Sequence, residues 1–277
     1  MVLLLDLLTT AAMLFVVTAG LMMIFGVMKI VNFAHGALLT LGGYASYVTT
    51  QLKLDPWLSW PLALIAGVMV GMVVEWLIVK PLYKRPLDAI LATWGLGIVI
   101  GQLIVMGFGR EVQFVDSPLS GTWSIAGVDY SAYRLLLVPV AVALCLLLTG
   151  LLNGTRFGIR TRAVIMNEAL ASGLGIHSGW VRFVTFSLGA GLGTLAGTMI
   201  TPLSSVDPNM GMPWLVSAFM LVMVSGHSMP SLMLTCVVFG ACQVLVSTYA
   251  SPVLGGLTIA VLAAVTLRIR PKGFAHG

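Results

Sequence analysis

Residues 8–36 read LTTAAMLFVVTAGLMMIFGVMKIVNFAHG. The first part, 8–28, carries no charged side chain and has the length of a membrane-spanning helix, about 20 mostly apolar residues. The second part, 29–36, brings a lysine, an asparagine and a histidine together within a few positions. This stretch therefore predicts a transmembrane helix that ends in a polar break.

Further apolar segments follow along the chain, at 36–50, 57–79, 89–109, 133–152, 181–201, 213–227, 231–250 and 253–268. Two of them, 36–50 and 213–227, are short for a full crossing. Irregular backbone at membrane depth is tolerated only where it is buried in protein or lines a cavity. We predict an all-α, polytopic transmembrane helical bundle of about eight to nine membrane segments, some of them broken or re-entrant.

The composition agrees with this prediction. Hydrophobic residues make up 59% of the chain and charged residues only 8%, whereas soluble domains are about a quarter charged. The formal net charge is +5, but the basic residues lie at the ends of apolar runs and form no dense basic face of the kind that nucleic-acid binding requires. Nucleic acid is therefore not an expected partner; the lipid bilayer is.

The basic residues also predict an orientation. They cluster at 80–85, 156–162 and 268–272, whereas 110–132 is mostly acidic and rich in turn residues. Because loops rich in Lys and Arg face the cytoplasm, the three clusters should lie inside. The N-terminus is then outside and the C-terminus is cytoplasmic.

The sequence lacks the motifs of common enzymes. There is no G-x-x-x-x-G-K-[ST] phosphate loop, no H-E-x-x-H and no G-x-S-x-G, so we expect no catalysis, and any ATP hydrolysis must come from a partner subunit. The three cysteines lie in apolar segments without metal-ligand spacing, and we expect no metal and no cofactor. Glu75, near the inner end of the third segment, is expected to pair with Lys80 or Arg85.

Three features are candidates for function. The first is the polar break at 29–36. Polar groups inside a membrane are usually functional, and an unwound backbone can offer hydrogen bonds to a solute in transit. An ordinary cytoplasmic turn, with Lys29 at the headgroup level, explains the same residues equally well.

The second feature is the connection 153–180. Residues 159–172 lack Pro and Gly and have apolar side chains at helical spacing, which predicts one short amphipathic helix ended by Gly173 and Gly175. This helix could lie on the membrane surface with its arginines on lipid phosphates. It could also dock in a groove of a cytoplasmic partner.

The third feature is a series of glycines at four-residue spacing: Gly189, Gly193 and Gly197. Facing glycines allow two helix backbones to approach closely. We therefore predict that these residues serve helix packing and that the sixth segment is central to the bundle or to a subunit interface.

Taken together, the motifs resemble the permease subunits of the high-affinity branched-chain amino acid ABC importer family over nearly the whole chain. The stretches that carry the resemblance are Ile24–Gly36, Thr155–Gly158 with Arg160, Arg162–Val164, Asn167 and Leu174–Ile176, Asp207–Gly211, and Arg270–Gly273. The first two are fairly specific.

The resemblance implies one transmembrane domain over 1–277 in the bacterial inner membrane. It implies a second permease, identical or related, two cytoplasmic ABC ATPase subunits and a periplasmic solute-binding protein as partners. The break would line or gate the substrate pathway through Asn32, Phe33, His35 and Gly36. The connection 153–180 would hold the coupling helix, and the residues that would contact the ATPase are Arg156, Arg160, Arg162, Asn167, Glu168, Ala169, Gly173 and Gly175.

Two departures from the family pattern concern the coupling helix and the solute. The family usually has Asn-Pro-Glu-Ala-Ala where this chain has Asn167-Glu168-Ala169-Leu170-Ala171, and 225–230 differs from the family's Gly-Gly-Leu-Gly-Ser run. A branched-chain or other hydrophobic amino acid is the expected solute. Urea or a short-chain amide is the alternative within the family, and a secondary carrier driven by an ion gradient is the alternative of another class.

Overall fold

The computed structural model describes residues 1–125, 127–226, 228–270 and 273–274. His227 of the 225–230 loop and Pro271 and Lys272 of the C-terminal motif lie outside the described residues. The helices are α1 (Val2–Met28), α2 (His35–Gln51), α3 (Ser59–Val74), α4 (Pro86–Phe108), α5 (Ala132–Gly154), α6 (Arg156–Met166), α7 (Glu168–Gly173), α8 (Ser178–Ser204), α9 (Gly211–Ser225), α10 (Met229–Tyr249) and α11 (Pro252–Ile269).

A short 3₁₀ turn, Pro56–Leu58, precedes α3, and a π-helical turn, Glu75–Val79, and a 3₁₀ turn, Lys80–Leu82, extend it. The resulting Pro56–Leu82 and six further helices are long and apolar enough to cross a membrane. Strands β1 (Thr122–Ile125) and β2 (Val128–Ser131) form an antiparallel hairpin between α4 and α5. The prediction of a polytopic all-α bundle is confirmed apart from this small hairpin.

Helices α1 and α8 form the centre of the bundle. Their most apolar stretches are 78% buried, whereas those of α4 and α11 are only 17% buried. The central position of α8 depends on small residues and on hydroxyl groups that bond to neighbouring backbones. Thr194 Oγ1 donates to the Ala63 carbonyl of α3 at 2.8 Å, and Thr198 Oγ1 donates to the Gly42 carbonyl of α2 at 2.8 Å. Such bonds between helices replace the hydrophobic drive that is absent in lipid.

The bundle has two distinct ends. One end, here called the basic end, carries Lys80–Arg85, α6, α7 and the last turn of α11. The other, the hairpin end, carries β1 and β2, where Tyr130 Oη donates to Asp6 Oδ1 near the start of α1 at 2.7 Å. The described residues therefore begin and end at opposite ends of the bundle, since α1 begins beside the hairpin and Phe274 N donates to the Val224 carbonyl at the basic end.

The predicted single helix over 159–172 is wrong. Helix α6 ends at Met166, Asn167 is extended (φ −157°, ψ 103°), and α7 begins at Glu168. The physical reason is Asn167 itself: its side chain accepts a hydrogen bond from Leu170 N at 3.0 Å and caps a new helix, a role for which asparagine is strongly preferred. The connection is a pair of short helices with a joint between them.

Candidate functional site

Helix α2 starts near the middle of the bundle. His35 Nε2 lies 3.1 Å from the Val17 carbonyl, and Val17 is about 16 Å along α1 from Met28 at a rise of about 1.5 Å per residue. The left-handed Lys29 (φ 53°) ends α1. Residues 29–34 then return along it as irregular backbone, which is long enough since extended residues span about 3.3 Å each. The polar break is therefore the irregular first part of a broken crossing inside the protein and not a surface turn.

Helix α9 also starts inside the bundle. The segment 205–210 descends from the hairpin end, where Gln113 and Val206 exchange two backbone hydrogen bonds of 2.8 and 2.9 Å. Gly211 N, at the start of α9, donates to Thr40 Oγ1 of α2 at 3.2 Å. A Cβ on Gly36 would lie only 3.1 Å from the Gly211 carbonyl oxygen. The N-terminal ends of two short helices, 17 and 15 residues long, thus meet inside the bundle.

A cavity of about 400 Å³ lies against this meeting point and reaches toward the hairpin end. One wall is a continuous face of α4, because its residues recur at helical spacing. The other wall comes from the start of α2 and from 207–212. The lining residues are Phe33, Gly36, Ala37, Thr40, Trp94, Gly97, Ile98, Gly101, Gln102, Val105, Arg110, Asp207, Pro208, Asn209 and Met212. Helix N-termini carry a positive partial charge, so this cavity combines a polar backbone end with aromatic and aliphatic walls.

The four predicted pathway residues divide into two pairs. Phe33 and Gly36 line the cavity, as their position in the break implies. Asn32 and His35 are not in its wall; they are 2% and 0% exposed and pack inside the bundle. Asn32 Oδ1 accepts a hydrogen bond from Ala34 N at 3.1 Å, and the His35 ring fits against Gly20 of α1 and Gly193 of α8. These two side chains hold the irregular backbone in place.

The glycine series of α8 explains how the break fits into the bundle. A Cβ on Gly193 would lie 2.8 Å from His35 Cε1, and one on Gly189 would lie 2.7 Å from the Gly20 carbonyl. A Cβ on Gly197 would overlap the Leu39 carbonyl of α2. All three glycines therefore lie where α8 meets α1 or α2, and none of them lines the cavity.

The residues predicted for ATPase coupling lie together at the basic end. Arg156, Arg160 and Arg162 are exposed on α6, and Ala169, Gly173 and the left-handed Gly175 (φ 83°) are exposed on and after α7. The side chain of Asn167 forms the joint. The large apolar side chains of this region also point outward: Ile159 is 58% exposed, Met166 86% and Leu170 63%. The face that packs on the bundle is instead Gly158, Thr161, Val164 and Ala171.

A network that the sequence did not reveal links α7 to the bundle. Arg182 Nη2, in the second turn of α8, donates to Glu168 Oε2 at 2.5 Å. The guanidinium of the same arginine lies 4.5 Å from the centre of the Tyr83 ring. Tyr83 Oη in turn donates to Glu75 Oε1. Among the described residues, neither Lys80 nor Arg85 is in ion-pair distance of Glu75, and Arg85 pairs with Asp88 at 3.7 Å. The expected pairing of Glu75 is therefore wrong.

Tyr83 is the hydrogen-bond partner of the buried Glu75. Desolvation, followed by the hydrogen bond to Glu75, raises the pKa of the Tyr83 hydroxyl above its usual value. The hydroxyl therefore keeps its proton and can donate it to the carboxylate. Glu75 and Tyr83 are eight residues apart, beyond the i,i+4 spacing of side chains that are neighbours on a regular helix, and the chain between them passes through the π and 3₁₀ turns.

Comparison with known proteins agrees with this architecture. The family described as branched-chain amino acid transport system / permease component matches residues 3–267. The high-affinity branched-chain amino acid transport system permease protein LivH of Salmonella typhimurium is 24% identical over 274 residues, covering 93% of this chain and 89% of LivH. The probable LivH of Methanocaldococcus jannaschii is 29% identical over 218 residues, covering 75% and 68%.

Two more distant similarities complete the comparison. The autoinducer 2 import system permease protein LsrC of Salmonella choleraesuis is 31% identical over 149 residues, covering 53% of this chain and 40% of LsrC. PsaBC from Streptococcus pneumoniae, solved in complex with Fab, superposes with a TM-score of 0.54 at 16% identity and covers 98% of this chain and 92% of that one. At that identity the second similarity shows the fold alone. The family match, which spans the membrane bundle, shows that the chain belongs to the permease components of branched-chain amino acid transport systems and is the permease subunit of an ABC importer.

Proposed function

We propose that this chain forms part of the membrane pathway for a branched-chain or other hydrophobic amino acid. The observation that carries the proposal is the cavity bounded by the N-terminal ends of α2 and α9, with Phe33 and Gly36 in its wall. Short helices that end inside the membrane beside a cavity are the usual way in which transporters expose backbone groups to a solute. The family membership supports the same class of solute.

The basic end of the bundle then faces the cytoplasm of a bacterial cell. It carries the arginines of α6 and the lysines after α3, and the positive-inside rule places such residues on the cytoplasmic side. The chain therefore crosses the inner membrane with its N-terminus outside and its C-terminus inside. The hairpin end, with the mouth of the cavity, faces the periplasm, where a solute-binding protein would deliver the solute.

Helices α6 and α7 together serve as the coupling element. Apolar side chains and arginines are exposed side by side on this pair, as a surface needs in order to dock in a groove of a partner. The contact from Glu168 to Arg182 joins α7 directly to the central helix α8. ATPase movement would reach α8 through this contact, and α8 packs on the break through its glycine series. The implied partners are cytoplasmic ABC ATPase subunits, a second permease and a periplasmic solute-binding protein.

Ala163→Pro tests this coupling role. Ala163 lies in the interior of α6, where proline removes a backbone hydrogen bond and kinks the helix at a cost of about 3 kcal/mol or more. We expect ATP-dependent uptake of L-leucine to be lost in cells that carry the complete importer, while the amount of inserted permease stays unchanged. Ala163→Ser, which keeps the helix, is the control and should transport normally.

Two outcomes would reject the proposal. Full uptake by the proline variant would remove α6 from the coupling path. Uptake that continues after ATP depletion and stops when the ion gradient collapses would indicate a secondary carrier. Comparison of L-leucine with urea in the same cells separates the amino-acid solute from the amide alternative.

A further inference from the structure

The cavity between α2, α4 and α9 is polar at one end and apolar at the other. The part nearer the N-terminal ends of α2 and α9 is lined by Phe33, Trp94, Ile98 and Met212. Its mouth, toward the hairpin end, holds Asp207 and Arg110. At about 400 Å³, it lies at the lower end of the range of small-molecule sites, roughly 300–1,000 Å³. A small amphiphilic solute therefore suits it better than a large or uniformly polar one.

The fold brings the two charges of the mouth to the same place. Arg110 follows the end of α4 by two residues, and Gln113 shortly after it exchanges two backbone hydrogen bonds with Val206. Asp207 comes directly after Val206. This backbone pairing therefore fixes the chain segments of Arg110 and Asp207 beside each other at the mouth.

These two charges do not satisfy each other. Among the residues that the structure describes, the ion pairs are Arg85–Asp88, Arg134–Asp6 and Arg182–Glu168, and they include neither Asp207 nor Arg110. Asp207 is half-buried, and its Oδ1 accepts only a local hydrogen bond from Asn209 N at 2.8 Å. A partly desolvated carboxylate without a cation favours a positively charged partner.

We propose that the cavity recognises the zwitterionic form of an aliphatic amino acid, with Asp207 binding its ammonium group, Arg110 its carboxylate, and the α4 wall at Gly101 and Val105 its side chain. This inference rests on the proposed amino-acid pathway and adds which residues distinguish the solute. Both charges of the solute are then matched at the mouth, and its apolar part lies against apolar walls. Urea and short amides have neither feature.

A protection experiment on the full-length permease tests this assignment. Gly101 lines the cavity, and a Cβ at this position would meet no neighbouring atom within 4 Å, so Gly101→Cys places a thiol in the cavity without a clash. The native Cys145, Cys236 and Cys242 are replaced by alanine. Labelling by a small methanethiosulfonate reagent is then followed with L-leucine, with 4-methylpentanoate, which lacks the ammonium group, and with 3-methylbutylamine, which lacks the carboxylate.

We expect L-leucine to slow the labelling and the two analogues to do so only at concentrations about tenfold higher or more, as for the loss of one hydrogen bond to a charged group. Asp207→Asn should abolish the preference for L-leucine over 4-methylpentanoate. This variant keeps the side-chain oxygen that accepts from Asn209 N, so the local turn is retained. Arg110→Gln should likewise abolish the preference over 3-methylbutylamine.

Equal protection by all three compounds, absence of protection by L-leucine, or an unchanged preference in Asp207→Asn would overturn the assignment. Uptake measurements distinguish failure of this charge assignment from failure of the proposed amino-acid pathway. Gly101→Leu should block L-leucine uptake by filling the cavity, and Gly95→Leu, on α4 outside the cavity wall, should not. Blocked uptake with unchanged charge preference leaves the pathway in place and rejects only the roles of Asp207 and Arg110.

Discussion

At Gly197 a single added methyl group would collide with backbone. The Cβ would overlap the Leu39 carbonyl oxygen of α2, and backbone cannot rotate away as a flexible side chain can. The same substitution at Gly95 meets nothing within 4 Å. The effect of replacing a glycine in this protein therefore depends on which helix packs against it and not on the helix that contains it.

We predict that Gly197→Ala lowers the free energy of unfolding by about 1–3 kcal/mol, the usual cost of overpacking. Gly95→Ala should leave it unchanged or raise it slightly, since alanine is the better helix former by about 1 kcal/mol. Thermal unfolding of both variants in the same detergent measures the difference. Equal midpoints would show that α2 and α8 do not pack as described.

The buried His35 shows how a polar residue can be structural. Its ring occupies the space that Gly20 and Gly193 leave free, and Nε2 reaches the Val17 carbonyl. The polar break therefore holds two kinds of residue: Phe33 and Gly36 line the cavity, whereas Asn32 and His35 fix the backbone that carries them.

At the scale of elements, the joint between α6 and α7 is the main difference from expectation. The Asn167 side chain accepts a hydrogen bond from the free N–H of Leu170 in the first turn of α7, and so ends one helix and begins the next. The joint lets the two helices make different contacts: α6 packs on α5, α1 and α8, and α7 reaches α8 through the Glu168–Arg182 pair.

We predict that Asn167→Ala weakens the coupling between ATP hydrolysis and uptake. The substitution removes the cap, which costs about 1 kcal/mol, and allows the two helices to merge into one. The ratio of ATP hydrolysed to L-leucine taken up should rise several-fold in proteoliposomes that contain the complete importer.

Asn167→Asp provides the matched control, because aspartate caps helices as well as asparagine does. It should keep the wild-type ratio. If both variants change the ratio equally, the asparagine acts through a contact with the ATPase and not through the joint.

At the scale of the whole molecule, seven long helices and two broken passages carry the described chain from one end of the bundle to the other. The broken passages are 29–51 and 205–225, and each consists of irregular backbone followed by a short helix. Helices α2 and α9 pack on each other; α2 also packs on α8, and α9 packs on α1. Together the two passages give the bundle a cavity at a depth where a continuous helix would expose only side chains.

We predict that the hairpin end is exposed to the periplasm and the basic end to the cytoplasm. In a background without native cysteines, Asp129→Cys in β2 should react with a membrane-impermeant maleimide added to whole cells. Ser172→Cys in α7 should react only after the cells are opened. Both positions are exposed, so the difference reports the side of the membrane. The reverse pattern would place the coupling helices outside and reject their role.

The sequence alone determined the class of this protein. The chain has apolar runs of bilayer length, short runs at 36–50 and 213–227, and basic clusters at alternate connections. Whether a segment lies in lipid or in water depends on its own residues, so these features can be recognised from the local sequence. The motifs also pointed to the family and to the break and the connection 153–180 as its functional parts.

Only the tertiary structure decided how those parts are arranged. Whether Asn32 or Phe33 faces the cavity depends on how far the chain re-enters beside α1. The position of Asp207 at the mouth near Arg110 depends on a hydrogen-bonded contact between Gln113 and Val206. Glu168 contacts Arg182 because α7 folds back on α8. These contacts join residues that are distant along the chain, and no local periodicity encodes such contacts.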